Sequence, residues 1–383
     1  MTQIWSFPTR IVFGEGATQH LGNEVLALGG QRVLIVTDAG VRKAGLLEPL
    51  TAALDTTKVE YAVFDGISSN PLEKEVLEGS LAWRESKAEV IVGVGGGSPL
   101  DVAKLIALCA HHRPPLAQYD DATGGDQHIT GVVPPIIAVP TTAGTGSEVG
   151  RSGVVTIEST KRKTVIFSPK LMPSVAILDP ALTASLPPRV TAATGYDALT
   201  HCIEAYCAKG DHPMADAIAL SGIELIAEYL ERATLDGKDL AARGAMLKAA
   251  MMGAVAFQKG LGACHSLAHP LSAECGLHHG LANALCLPAV VDFNRATVQV
   301  RVARIARLLG ARGEDVPTLA FECSGALRSL RRKIGLPEGL AAAGVDEEQY
   351  EKLARLALED ACHRLNPREC TEGDLLALYR ASA

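Results

Sequence analysis

The sequence predicts an α/β domain followed by a helical one, and three observations carry that reading. Short β-branched runs alternate with amphipathic stretches through the first half of the 383 residues. Pro187 and Pro188 then interrupt any regular element, and almost everything beyond them reads as helix with brief Gly or Pro punctuation. We place the boundary after Leu186, giving an α/β domain over 1–186 and an all-α domain over 187–383. At roughly 100 to 200 residues per domain, the length suits two or three such units.

In chain order, the β-branched runs end at Asp38 (RVLIVTD), Asp65 (VEYAVFD), Gly97 (AEVIVGVGGG) and Thr142 (PPIIAVPTT). Runs of this kind separated by helical segments predict an open, mostly parallel sheet with crossover helices. Residues 72–86 carry apolar positions at helical spacing, and 154–178 read as two strands joined by the basic turn Thr160, Lys161, Arg162, Lys163. In the second half, 214–232 present one broad apolar face, and the small residues of 241–256 let helix backbones approach closely. Further helices are predicted over 317–334, 347–365 and 372–382, the last opened by Thr371 with Asp374 three residues on, a variant of the capping box.

Composition narrows the function classes. With 48% apolar and 21% charged residues, the chain has ample material for buried cores. Its 43 acidic against 36 basic residues, a formal charge of −7, exert no long-range pull on phosphate backbones or anionic lipid, so neither nucleic acid nor a membrane is expected as a partner. The nine cysteines are scattered without a C-x-x-C pair, as reduced thiols of the cytoplasm are. The opening MTQIWSFPTRIVFGEG lacks the order of a signal peptide, and no window approaches about 18 uninterrupted apolar residues.

Two glycine-bearing loops follow strands. The first, Gly93-Val-Gly95-Gly96-Gly97-Ser98-Pro-Leu-Asp101, lies between a buried strand and a helix, where free N–H groups and the helix dipole favour a phosphate. Its register fails the G-x-G-x-x-G fingerprint, since Ser98 stands in place of the third glycine, and the strand-ending Asp38 precedes the loop instead of following it. The alternative is a plain strand-to-helix turn. The second loop runs from Val139 through Thr141, Thr142, Gly144 and Gly146 to Glu148, and two such loops at successive strand ends converge on one crevice. Asp38 there would accept hydrogen bonds from a ribose diol and repel a 2′-phosphate, favouring NAD over NADP; capping the next element is its other reading.

The second half carries metal-ligand spacing. Asp197 and His201 lie four apart, so one helical face presents a carboxylate and an imidazole. His265, His269, His278 and His279 fall within 15 positions, four of the 11 histidines in the chain. One carboxylate with neutral imidazoles leaves a divalent cation with residual positive charge and room for an oxygen ligand, which suits alcohol or aldehyde chemistry. Spacing alone leaves His265 and His269 equally open as the ligand. Cys202 and Cys264 flank better-placed candidates and are expected to face away.

Taken in order, GGGSPLDVAK, TTAGTGSEV, GYDALTHCIEAY and HSLAHPL followed by HHGLANAL closely resemble the iron-containing (group III) alcohol dehydrogenase family over essentially the whole chain. The resemblance implies its two-domain architecture, shared with dehydroquinate synthases, with an N-terminal dinucleotide-binding and a C-terminal metal-binding domain. It implies metal ligation by Asp197, His201, His265 and His279, and a proton-moving role for His269. For NAD it implies Asp38 and Asn70 toward the adenosine, Gly96, Gly97 and Ser98 on the diphosphate, and Thr141, Thr142 and Lys163 along the ribose and phosphate. Fe(II) is the family's habit, and Zn(II) suits the same donors.

The segment Ala256-Phe-Gln-Lys259-Gly-Leu-Gly looks like the corresponding stretch of 4-hydroxybutyrate dehydrogenases, so Lys259 or Arg151 is a candidate partner for a substrate carboxylate. The expected protein is a cytoplasmic, homo-oligomeric NAD(H) oxidoreductase acting on a small alcohol or ω-hydroxy acid and its aldehyde, a homodimer being the default for soluble enzymes. The rivals are a dehydroquinate-synthase-like lyase, which needs a basic pocket that the histidine clusters lack, and a non-catalytic metal- or nucleotide-binding protein.

Overall fold

Alternation within each strand builds the first unit. In the computed structural model, which describes residues 9–383, six parallel strands form one sheet in the order β1-β8-β5-β4-β2-β3. They are β1 Arg10–Phe13, β2 Arg32–Val36, β3 Glu60–Phe64, β4 Val90–Gly95, β5 Ile136–Pro140 and β8 Val175–Leu178. Along β2, Val33 and Ile35 enter one apolar cluster while Leu34 and Val36 enter another, because successive side chains point to opposite faces. The first cluster packs on helices α1 (Leu21–Ala27) and α3 (Glu48–Thr57), the second on α4 (Glu73–Ser86) and α5 (Gly97–His111). A short α2 (Ala39–Lys43) follows β2. Covering both faces is what permits a parallel sheet.

The antiparallel pair β6 (Ser152–Ile157) and β7 (Arg162–Phe167) forms a separate ribbon. Its turn lies at 158–161, so Arg162 and Lys163, expected in the turn, stand on β7. Residues 154–178 hold a third strand, β8, which rejoins the main sheet between β5 and β1. The N-terminal stretch read for signal-peptide order lies, through Pro8, outside the described residues.

The second unit is helical: α6 Pro188–Cys207, α7 Pro213–Leu235, α8 Leu240–Ala256, α9 Ala263–Cys275, α10 His279–Asn294, α11 Gln299–Leu308, α12 Val316–Lys333, α13 Tyr350–Glu359 and α14 Glu372–Ala381. The described residues divide into 9–142 with Gly146–Ser185, and Ala143–Thr145 with Leu186–Ala383, so three residues of the second loop go with the helices. The apolar window Leu240–Lys259 is long enough to cross a membrane, but 67% of it is buried, as in the core helix of a bundle. Thr371 and Asp374 make the expected reciprocal cap of α14. The helix expected over 347–365 breaks: α13 ends at Glu359, and Cys362–Leu365 form a separate 3-10 turn. Between them Asp360 takes extended backbone geometry, and its carboxylate accepts bonds from Ser266 Oγ and from the Cys362 N–H. All nine cysteines are free thiols.

Candidate functional site

In the sheet unit, the strand order reverses between β2 and β4, and the loops leaving these strands carry Asp38 and the Gly96–Ser98 turn. Such a switch point is where open α/β sheets bind ligands. Asp38 caps α2, its Oδ1 accepting the Val41 N–H at 2.9 Å, so the capping role is real and occupies one of two carboxylate oxygens. Gly96 is the N-cap of α5 and offers no side-chain cap, so Gly97 and Ser98 open the helix with amide donors directed outward. Ser98 Oγ donates to the Ser69 carbonyl at 2.9 Å, which ties the Asn70 segment to the glycine turn. The Thr141 N–H donates to the Gly95 carbonyl at 2.9 Å, bringing the Thr141–Thr142 loop alongside.

Lys163 stands on β7, accessible to solvent yet flanked by protein. Lost hydration lowers its pKa, opposed by attraction to Asp101. Asp101 in turn accepts from Ser147 Oγ at 2.5 Å and from the Val154 N–H at 3.2 Å, fastening the first loop's helix to the second loop and the ribbon. Lys104, fully buried, donates to Ser147 Oγ and the Ser152 carbonyl, and burial pulls its pKa to about 8.

In the helical unit, three elements converge. α6 supplies Asp197 and His201, α9 supplies His265 and His269, and α10 begins at His279. Ligand atoms of Asp197, His265 and His279 all lie within 4.8 Å of one another. His279 Nε2 is 3.6 Å and His265 Nε2 3.9 Å from Asp197 Oδ1. His201 lies beside this trio rather than in it: its ring stacks on His265 with centroids 4.7 Å apart, and its Nδ1 is buried with no hydrogen-bond partner. Buried polar atoms are normally paired, so an orphaned nitrogen on the ring stacked against His265 is one that a bound group can satisfy.

Electrostatics separate the imidazoles: burial would lower His265, but the Glu204 carboxylate on it outweighs burial and raises it, while the other two fall. Burial pushes His201 down to about 4 and His279 well below the ordinary imidazole value, each opposed by the Asp197 charge, so both rings are neutral and have a lone pair to give. Burial alone would raise Asp197, but its coupling to His201, His279 and His265, together with the Asn283 amide that donates to it, outweighs burial and holds its carboxyl below the usual range. Close approach of α10 to α6 depends on Gly280, where a Cβ would sit 2.1 Å from the Ala193 carbonyl oxygen.

His269 is set apart from the trio by its partner. Its Nδ1 meets Asp360 Oδ2 at 2.7 Å, and its ring stacks on His279 with centroids 5.2 Å apart. His269, Asp360 and Cys362 also gather potential donors, but the Asp360 oxygens are taken by His269, Ser266 and the Cys362 N–H. His278 caps α10, accepting the Gly280 N–H at 3.2 Å. The thiols face other partners, Cys264 the Asn283 carbonyl and Cys202 the Ala249 carbonyl.

Three polar residues at this site escaped the sequence reading. Asn283 places its Nδ2 2.7 Å from Asp197 Oδ1, 3.2 Å from His279 Nε2 and 3.4 Å from His265 Nε2. Glu204 Oε2 meets His265 Nδ1 at 2.6 Å. Asp360 meets His269 as above. Helical spacing offered a signal for two of them, since Asn283 is four beyond His279 and Glu204 three beyond His201; nothing local marks Asp360.

The two cations considered for a substrate carboxylate separate clearly. Lys259 is committed, its ammonium donating to Asp216 at 2.6 Å and to the Tyr206 carbonyl at 3.1 Å, while Arg301 shares the same aspartate at 2.8 Å. Arg151 packs over the Phe167 ring at 5.3 Å, and no carboxylate pairs with it among the described residues.

Comparison with known proteins agrees over the whole chain. Residues 8–180 match the iron-containing alcohol dehydrogenase family, and 191–383 match the C-terminal part of the Fe-containing alcohol dehydrogenase family. A 4-hydroxybutyrate dehydrogenase of Cupriavidus necator is 44% identical over 380 residues, 98% of either chain. A crystallised 1,3-propanediol oxidoreductase superposes with a TM-score of 0.96 at 38% identity, covering all of both chains. Sulfoacetaldehyde reductase from Bifidobacterium kashiwanohense, solved with NAD+, superposes at 0.88 with 32% identity, covering 100% of this chain and 99% of that one.

Proposed function

Since the chain belongs to the iron-containing alcohol dehydrogenase family, we propose that Asp197, His201, His265 and His279 hold its divalent cation and that His269 moves the proton. The protein is a metal-dependent NAD(H) oxidoreductase interconverting a small primary alcohol or ω-hydroxy acid and its aldehyde by hydride transfer. The observation that carries the assignment of residues is the convergence of three donors within 4.8 Å beside a buried, unpartnered His201 nitrogen. Fe(II) is the family's cation, and the same oxygen and nitrogen donors accept Zn(II), which binds more tightly in the usual affinity order.

When bound, the cation supplies a Lewis-acid pull on the substrate oxygen and NAD supplies the hydride acceptor. The chain supplies the rest. Burial keeps the His201 and His279 imidazoles neutral and available as donors, and excludes water that would screen the Asp197 charge. His269 is more open, and the Asp360 carboxylate on its Nδ1 leaves Nε2 to accept a proton and release it to solvent. In the other unit, Gly96, Gly97 and Ser98 present amides to the diphosphate, Lys163 adds charge, Thr141 and Thr142 add polar contacts, and Asp38 and Asn70 face the adenosine.

On this reading residues 1–186 are the dinucleotide-binding domain and 187–383 the metal-binding domain. Free thiols support a cytoplasmic setting, and a homodimer is the proposed assembly, with no nucleic acid or membrane partner. Similarity to a 4-hydroxybutyrate dehydrogenase supports an ω-hydroxy acid as substrate, with Arg151 as partner for its carboxylate. The test is a panel of primary alcohols, diols and ω-hydroxy acids with NAD and NADP, run on apo protein before and after loading with Fe(II) or Zn(II). NADH should form only with metal; cofactor binding without NADH from any substrate would refute the reading.

A further inference from the structure

The geometry points to Glu204 as a positioning residue that fixes the orientation and tautomer of His265 for cation binding, an inference that rests on the cation site proposed above. On α6, Asp197, His201 and Glu204 are spaced by four and three residues, so one buried helical face carries all three. Glu204 reaches α9 rather than the donor cluster. Its Oε2 lies 2.6 Å from His265 Nδ1, and its Oε1 accepts the Cys264 N–H at 2.6 Å.

Both bonds serve the start of α9. Cys264 is the second residue of that helix, so its N–H is one of the donors that lack an intrahelical acceptor, and a carboxylate there also meets the positive end of the helix. The N-cap, Gly262, offers no side chain; the Asn366 Oδ1 accepts the Ala263 N–H at 3.3 Å and Glu204 the next one. A Cβ on Gly262 would sit 2.8 Å from Glu204 Oε1, so the glycine leaves the space the carboxylate fills.

Donor and acceptor counting explains why an acid is needed. The carboxylate has acceptors at both oxygens, and both partners present donors to it. With Nδ1–H given to Glu204, the neutral His265 ring carries its lone pair on Nε2, the atom that faces Asp197 Oδ1 at 3.9 Å. A glutamine has one acceptor and one donor. Its oxygen can accept from Cys264 or from the His265 Nδ1–H but not from both, and with the oxygen on Cys264 its NH2 faces Nδ1 and favours the tautomer with a proton on Nε2, which blocks ligation. Carboxylates placed in this way behind a ligating histidine are typically worth 10- to 100-fold in metal affinity.

The experiment titrates metal-free wild type, Glu204→Gln and Asp197→Ala with Zn(II) against a chromophoric chelator, alongside thermal unfolding of each apo protein. The expected result is Zn(II) affinity about 10- to 100-fold weaker in Glu204→Gln, with an apo melting temperature near wild type and near-complete loss in Asp197→Ala. Affinity within about twofold of wild type in Glu204→Gln, with Asp197→Ala defective, would overturn the role of Glu204 alone. Wild-type affinity in Asp197→Ala would overturn the cation site itself. Should Glu204→Gln not fold, Glu204→Asp keeps both acceptors but withdraws them by one methylene; weakened binding there supports the inference and wild-type binding refutes it.

Discussion

Gly280→Ala tests the packing that sets the donor cluster. The new Cβ would lie 2.1 Å from the Ala193 carbonyl oxygen, 2.7 Å from its carbon and 3.1 Å from Asp197 Cβ. Since Cβ atoms essentially never approach within 3.0 Å of a heavy atom, α10 must back away from α6 by about 1 Å. Around a tetrahedral cation with bonds of about 2.0–2.1 Å, donors sit roughly 3.3 Å apart. His279 Nε2 and Asp197 Oδ1 are now 3.6 Å apart, near that value. Opening the gap by a further ångström takes one donor out of reach. The variant should bind Zn(II) at least about a hundredfold more weakly, measured by chelator competition, with overpacking costing about 1–3 kcal/mol. For a unit of this size that is a fall of roughly 2–12 °C in apo melting temperature. Wild-type affinity and wild-type melting together would show that α6 and α10 do not meet as described.

The remaining expectations concern separate groups. Asp197→Ala should lose metal, whereas His269→Ala should retain it and lower turnover by about 10²- to 10⁴-fold; equal metal loss in both, by elemental analysis, would contradict their distinct roles. Arg151→Met should weaken use of 4-hydroxybutyrate by about 10- to 100-fold in kcat/KM while sparing 1-butanol, whereas any loss in Lys259→Met should fall on both substrates alike, because its ammonium is already held by Asp216. Burial raises Glu148 to about 7, against the attraction of Lys104, so folding is penalised progressively as pH rises from about 4.5 to 7 and the unfolded chain ionises first. Glu148→Gln should therefore be more stable than wild type at pH 8, by up to about 3 kcal/mol, and nearly equal at pH 5 in urea unfolding; a difference of the same size at both pH values would refute this.

Local periodicity made much of this legible. The strands that end at Asp38, Asp65 and Thr142 are apolar runs with turn signals behind them, and they form as the pattern requires. β1 and β8 are four residues each and are placed by distant partners, Arg10 lying opposite Val175 and β8 pairing with β5 on its other side, so their position in the sheet is not a local property. The i, i+4 spacing of Asp197 and His201 is a property of one helix and could be read directly. Telling His265 from His269 is a tertiary matter, since Glu204 on α6 stands behind the first and Asp360 behind the second. Asp360 stands 91 residues from its histidine, at a break in a segment whose apolar spacing continues across it. Lys259, a candidate partner for a substrate carboxylate by its position in the sequence, has surroundings that are tertiary for a related reason. Asp216 and the Tyr206 carbonyl, brought in by the packing of other helices, hold its ammonium in the interior, and nothing next to it in the chain announces them.

Metal K-edge X-ray absorption of the chain loaded with one equivalent of Zn(II) or Fe(II) tests the central claim most directly. Imidazole scattering from three histidines with light-atom oxygen in the first shell, reduced by one imidazole in each of His201→Ala, His265→Ala and His279→Ala, is the result expected. Sulfur in the first shell, or a spectrum unchanged by all three substitutions, would place the cation elsewhere and contradict the account.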